Sequence, residues 1–165
     1  MRLEQDDTSP FAPAARGSLE DSVDGLIVGH RLMAAGEHEL ALEAYNRALI
    51  ERGTTVDVVS AIGSANLRLG RLGQAEKQLR DAIEIDETFV PAWNNLGVVL
   101  MERGKWGEAA QTFRRAFALD SGRSADIRDN LRLALAKMEN PTYSEDESTF
   151  ALVRRGRGDY LLLGR

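Results

Sequence analysis

Small and apolar residues return along this chain in a fixed register. Gly29, Gly63 and Gly97 are spaced by 34 residues, and so are Gly36, Gly70 and Gly104. Ala41, Ala75 and Ala109 keep the same step, as do Ala48, Ala82 and Ala116, with Tyr45, Leu79 and Phe113 as a bulky set between them. A period in the range of roughly 20 to 50 residues marks a stack of supersecondary units. Each unit reads as two helices. In the third, Trp93, Leu96, Gly97 and Leu100 recur at helical spacing, Gly104 opens a turn, and Ala109, Phe113 and Ala116 form an apolar stripe on a second helix. Glycine on the first helix and alanine on the second let two antiparallel backbones approach, while the bulky residue fills the space behind. The pattern predicts an all-α stack of helical hairpins.

The stretch Trp93-x-x-Leu96-Gly97-x-x-Leu100, followed by Ala109-x-x-x-Phe113, resembles the tetratricopeptide repeat (TPR) family, and the likeness runs over residues 22–121. It implies a TPR solenoid of three helical hairpins, at 22–55, 56–89 and 90–121. Two features depart from the family pattern. Its closing proline is replaced by Gly53, Glu87 and Ser121, and Gly25 stands where the family prefers tryptophan. Both departures are expected to loosen the inter-repeat turns and the first helix. A further half repeat follows: Asp129-Asn130-Leu131-Arg132-Leu133-Ala134-Leu135 aligns with Asn94 to Leu100 at a step of 35. Arg132 replaces the close-contact glycine, which is tolerable only where no second helix packs, and Pro141 cannot continue a helix. Residues 122–140 therefore read as a C-terminal capping helix with a polar back. Residues 1–21 read as a flexible leader and 141–165 as a tail that packs on the solenoid.

The resemblance also implies a concave groove lined by the first helix of each unit, open to a protein or peptide partner. Its lining falls on Leu26, His30 and Met33 in the first unit and on Ser60, Ser64, Leu67 and Arg68 in the second. The third supplies Asn94, Asn95, Val98, Met101 and Glu102, and the cap supplies Asp129 and Asn130. The carboxylate clamp of chaperone-binding TPR proteins would fall on Leu26, His30, Ala61, Pro91 and Asn95. Only Asn95 has the hydrogen-bonding chemistry for that task, so a chaperone C-terminus is not the expected ligand. Asparagine at the position of Asn95 and Asn130 is used by other TPR proteins to hold a peptide backbone. The competing reading is that Asn95 is solvated or bonds within its own helix.

Composition narrows the function further. The chain has 165 residues, 43% hydrophobic and 28% charged, with a net charge of -5. No basic face is indicated, which argues against nucleic acid as a partner, and no apolar run approaches the ~20 residues of a membrane span. There is no cysteine, hence no thiolate metal site, disulfide or cysteine nucleophile. The only histidines are His30 and His38, too badly placed to share a metal, so neither an enzyme, a cofactor nor a small-molecule substrate is expected. Asn140-Pro141-Thr142-Tyr143 resembles a docking motif and Arg157-Gly158-Asp159 an adhesion tripeptide, but both are short enough to be a helix stop and a glycine turn. Arg154-Arg155-Gly156-Arg157 is a weak phosphate signal in an acidic chain.

The tail also holds two apolar clusters, Phe150 to Val153 and Tyr160 to Leu163, that would invite aggregation if left exposed. They are expected to pack on the solenoid in cis or from a second molecule. A structural homo-oligomer, with the tail filling the groove of its own or a neighbouring chain, is thus the alternative to an adaptor.

The stretches Gly29 to Gly36, Ser64 to Gly70 and Asn130 to Leu135 resemble, more loosely, TadD-like TPR lipoproteins of the tight-adherence (Flp) pilus assembly system. That likeness implies a periplasmic protein tethered to the outer membrane through a lipidated cysteine ahead of Met1. A chain complete as it stands would instead be cytoplasmic.

Overall fold

The computed structural model describes residues 24–141. Among them lie seven helices and no strand: α1 (Gly25–Ala34), α2 (His38–Arg52), α3 (Val56–Arg68), α4 (Leu72–Ile85), α5 (Val90–Glu102), α6 (Trp106–Leu119) and α7 (Ala125–Glu139). The expected leader and nearly all of the expected tail, with its short motifs and apolar clusters, fall outside the described residues. Helices α1 and α2, α3 and α4, and α5 and α6 pack as hairpins. Each hairpin meets the next through α2 with α3 and α4 with α5, and α7 closes the series against α6 and α5. This is an all-α solenoid of three helical hairpins closed by a seventh helix.

Three turns are built identically. After α1, Gly36 takes φ +80°, its N–H donates to Met33 O, and Glu37 N donates to Leu32 O. Gly70 and Gly104, each at φ +72°, repeat this with Leu67 and Met101, while Arg71 and Lys105 donate back to Asn66 and Leu100. The crossed pair of bonds satisfies helix-end carbonyls, and a left-handed residue is required to make it, which is why glycine recurs there.

The other glycine column works by absence of a side chain. A Cβ on Gly63 would stand 2.8 Å from Leu79 Cγ, and one on Gly29 or Gly97 would be closer still to the ring of Tyr45 or Phe113. Ala41, Ala75, Ala109, Ala48, Ala82 and Ala116 are all fully buried beside them. The register therefore sets the spacing of every hairpin. It also organises two apolar clusters, one around Met33, Tyr45 and Ile62, and a larger one running from Val59 through Phe113 to Ala134.

At Gly25 and at the turns that lack the family proline, the structure shows specific contacts. Gly25 is buried, and a Cβ there would lie 2.6 Å from Ala44 O and 2.9 Å from Ala48 N, so α1 packs directly on the backbone of α2 at this point. Where the family proline is absent, other bonds hold the turns. Thr55 caps α3 through Val58 N at 3.4 Å, and the Asp86 carboxylate accepts from Thr88 N and Oγ1 at 2.9 and 2.7 Å. The Asp120 carboxylate accepts from Ser124 N at 2.5 Å. Arg132 is exposed and paired with Asp129, in keeping with an unpacked back to α7.

One contact between hairpins has no counterpart in the register. Glu76 on α4 is buried and bonds Arg80 at 2.8 Å, Arg103 at the end of α5, and Lys105 at 3.5 Å, while Arg80 also reaches Glu108. Leu42 and Ala110 occupy the equivalent positions of the other units. Burial alone would raise the Glu76 pKa, but the Arg80 hydrogen bond and the charges of Lys105, Arg80 and Arg103 outweigh it and hold the carboxyl below its usual range. A depressed carboxyl stabilises the fold above its unfolded-state pKa, and that stability disappears as pH falls through the folded value.

Two outcomes follow from this packing. Gly97→Leu should cost about 1–3 kcal/mol by overpacking against Phe113, measured by urea denaturation. Glu76→Gln should cost about 1–2 kcal/mol near neutral pH, since its partners are partly solvated. The gap from the parent protein should close on acidification through the carboxylate range, and a gap independent of pH would contradict the pairing.

Candidate partner-binding face

Helices α1, α3, α5 and α7 form an inner row, each touching the next. The row carries every residue expected in the groove: Leu26, His30 and Met33 on α1, Ser60, Ser64, Leu67 and Arg68 on α3, Asn94, Asn95, Val98 and Met101 on α5, and Asn130 on α7. Their exposure differs from that of an open lining. Only Leu26, His30, Ser64 and Arg68 are half-buried; the others are buried. Leu67, Val98 and Met101 belong to the larger apolar cluster, so they join the solenoid core to its inner face.

Polar residues on this row bond one another in a line. Ser64 Oγ donates to Ser60 O at 3.0 Å, Asn95 Nδ2 donates to Ser64 Oγ at 2.9 Å, and Asn94 Nδ2 donates to Asn95 Oδ1 at 3.2 Å. Asn130 Nδ2 then donates to Asn94 Oδ1 at 3.0 Å, linking α7 to α5. Asn95 is therefore neither solvated nor confined to bonds within its own helix. The bond from Asn130 also runs to Asn94, diagonal to the expected Asn95 column. Buried amides this close in a low-dielectric setting stabilise only when each finds partners, so the line fixes the relative positions of three inner helices.

His30 is held by its own hairpin. Its Nδ1 lies 2.7 Å from Tyr45 Oη, with the two rings edge to face at 5.3 Å. His38 begins α2 on a different part of the hairpin, and burial followed by the charge of Arg68 pushes its pKa down despite Glu37. No group of three or more His, Asp or Glu side chains suited to a metal occurs among the described residues. The expected clamp positions carry no lysine or arginine: Ala61 and Pro91 are buried and Leu26 is apolar. Glu102 and Asp129 are exposed at the margin of the row.

The family described as tetratricopeptide repeat matches residues 29–88 and 60–124. Tetratricopeptide repeat protein 7B of Homo sapiens is 33% identical over 90 residues, which are 54% of this chain and 11% of that protein. Small glutamine-rich tetratricopeptide repeat-containing protein 2 of Mycosarcoma maydis is 26% identical over 131 residues, 79% of this chain and 36% of that protein. The chain thus spans only a minor part of these relatives. Among solved structures, the Sgt2 TPR domain from Aspergillus fumigatus has a TM-score of 0.67 at 19% identity, covering 75% of this chain and 85% of that one. The first TPR of Spaghetti (RPAP3), bound to the HSP90 peptide SRMEEVD, has a TM-score of 0.66 at 18% identity, covering 71% and 97%. At these identities the structural likeness is one of fold.

The polar line makes a specific energetic prediction. In a double-mutant cycle, Ser64→Ala and Asn95→Ala should couple by about 0.5–1.5 kcal/mol in thermal unfolding, whereas strict additivity would mean that the bond between α3 and α5 contributes nothing.

Proposed function

Because the chain belongs to the tetratricopeptide repeat family, we propose that it is a non-catalytic interaction scaffold that holds an extended segment of a partner polypeptide along its inner helix row. The observation that carries this reading is the line of neutral amides on Asn94, Asn95 and Asn130, set beside Met33, Leu67, Val98 and Met101. A side-chain amide both donates and accepts, so it can meet a peptide unit whatever the sequence. Leucine and the pliable methionines accommodate apolar side chains of varied shape. Such a face reads an extended backbone with alternating apolar residues.

The same chemistry separates this chain from the structural relative holding SRMEEVD. That peptide ends in Glu-Glu-Val-Asp, and an acidic terminus is recognised by cations. Leu26, His30, Ala61, Pro91 and Asn95 offer none that is permanently charged, so the proposed partner segment is uncharged where it crosses α3 and α5. A place in pilus assembly, with a lipid tether, rests on the TadD-like stretches alone.

Screening a random decapeptide display library against the full chain should enrich uncharged, apolar-alternating peptides. Their capture should fall at least about fivefold on Asn95→Ala, equivalent to the ~1 kcal/mol of one hydrogen bond. Ile50→Ala, on a residue 86% exposed on α2, should leave it unchanged. Capture that responds to Ile50 and ignores Asn95 would overturn the proposed face.

A further inference from the structure

We infer that Arg68 sets a charge preference at one end of the groove: its guanidinium receives an acidic side chain of the bound segment, beside the line of amides. The inference rests on reading the inner row as a peptide groove, and it adds a single aspartate or glutamate flanking the uncharged stretch.

The first observation is a charge without a counter-ion. Among the described arginines Arg68 alone is half-buried, and the others are exposed. Arg80 and Arg103 share Glu76, and Arg71 takes Glu39. The Arg68 side chain makes no ion pair or hydrogen bond among the described residues. A guanidinium drawn partly out of water is costly until a carboxylate compensates it.

Carboxylates on the neighbouring elements leave Arg68 unmet. Glu39 on α2 is engaged by Arg71. Glu37 before α2, and Glu102 in the same repeat column on α5, are exposed and form no ion pair among the described residues. The uncompensated charge is felt instead at His38, where burial and then Arg68 push the pKa down against Glu37.

The second observation is position. Ser60, Ser64 and Arg68 stand four residues apart in turn, so they share one face of α3. Ser64 joins that face to Asn95. Arg68 ends α3 one turn further on, about 6 Å along the axis at ~1.5 Å per residue. An extended chain covers the same distance in about two residues at ~3.3 Å each. A segment whose backbone is held at Asn95 therefore brings a side chain two or three residues away to the guanidinium, beyond the stretch that crosses the amides.

The third is chemical selectivity. The planar guanidinium fork matches a carboxylate through two parallel N–H···O bonds, and it repels lysine and arginine. Glu102, one inner helix over, repels an acid at its own place. The two opposite charges therefore accept an acidic residue at the α3 end alone, which fixes the direction in which the segment lies. Arg68 stands outside the clamp positions Leu26, His30, Ala61, Pro91 and Asn95. It reads a side chain of the segment, where a clamp reads a terminal carboxylate.

The test uses the full chain and an uncharged decapeptide that it captures, blocked at both termini and extended at one end or the other by Gly-Glu or Gly-Gln. At one of the two ends the glutamate version should bind at least about fivefold more tightly than the glutamine version at low salt. Arg68→Gln should erase that gain and bind the glutamine version as the parent does. In the parent, the His38 ring followed by NMR should titrate at higher pH with the glutamate peptide bound than with the glutamine peptide, because the carboxylate offsets the charge of Arg68. Equal affinity for both extensions at both ends, a gain that survives Arg68→Gln, or the same His38 titration with either peptide overturns the inference. If the glutamine versions bind and glutamate adds nothing, the groove reading stands without Arg68; if no decapeptide is captured, the groove reading fails and this inference with it.

Discussion

In each hairpin the bare backbone of a glycine on the first helix packs against a bulky side chain on the second. Tyr45, Leu79 and Phe113 occupy the volume that a Cβ on Gly29, Gly63 or Gly97 would need. With the helices drawn this close, fully buried alanines complete the contact, and the next first helix has one place to pack. The inner row of α1, α3, α5 and α7 follows from repetition of that spacing. Its face is a consequence of a local steric constraint applied three times.

On this frame the inner face acquires a property the apolar register does not supply. Ser64, Asn95, Asn94 and Asn130 tie three inner helices by hydrogen bonds between residues far apart in sequence. Glu76 does the same between the second and third hairpins through Arg80, Arg103 and Lys105. Van der Waals packing sets how near the helices stand, while these polar links set how they are aligned. The proposed peptide-holding role rests on this aligned row with neutral amides at its centre.

Much of this is legible in the sequence because repetition turns a single steric rule into aligned columns. The hairpins, the glycine turns and the terminal helix with Arg132 outward are all visible there. What stays hidden is whatever does not repeat. Glu76 shares its column with Leu42 and Ala110, so its ion pairs carry no periodic signal. Asn130 aligns with Asn95 but bonds Asn94, because adjacent helices are offset and a column comparison cannot see a diagonal. Gly25 is a related case: the column records a lost tryptophan, but not that α1 packs there directly on the backbone of α2.

The most direct measurement of the central claim is NMR mapping of the full chain with a peptide that it captures. Side-chain amide signals of Asn94, Asn95 and Asn130 should shift together, with the backbone of α3 and α5, as the peptide is added. Shifts concentrated on the outer helices around Ile50, with those three amides unmoved, would contradict the account.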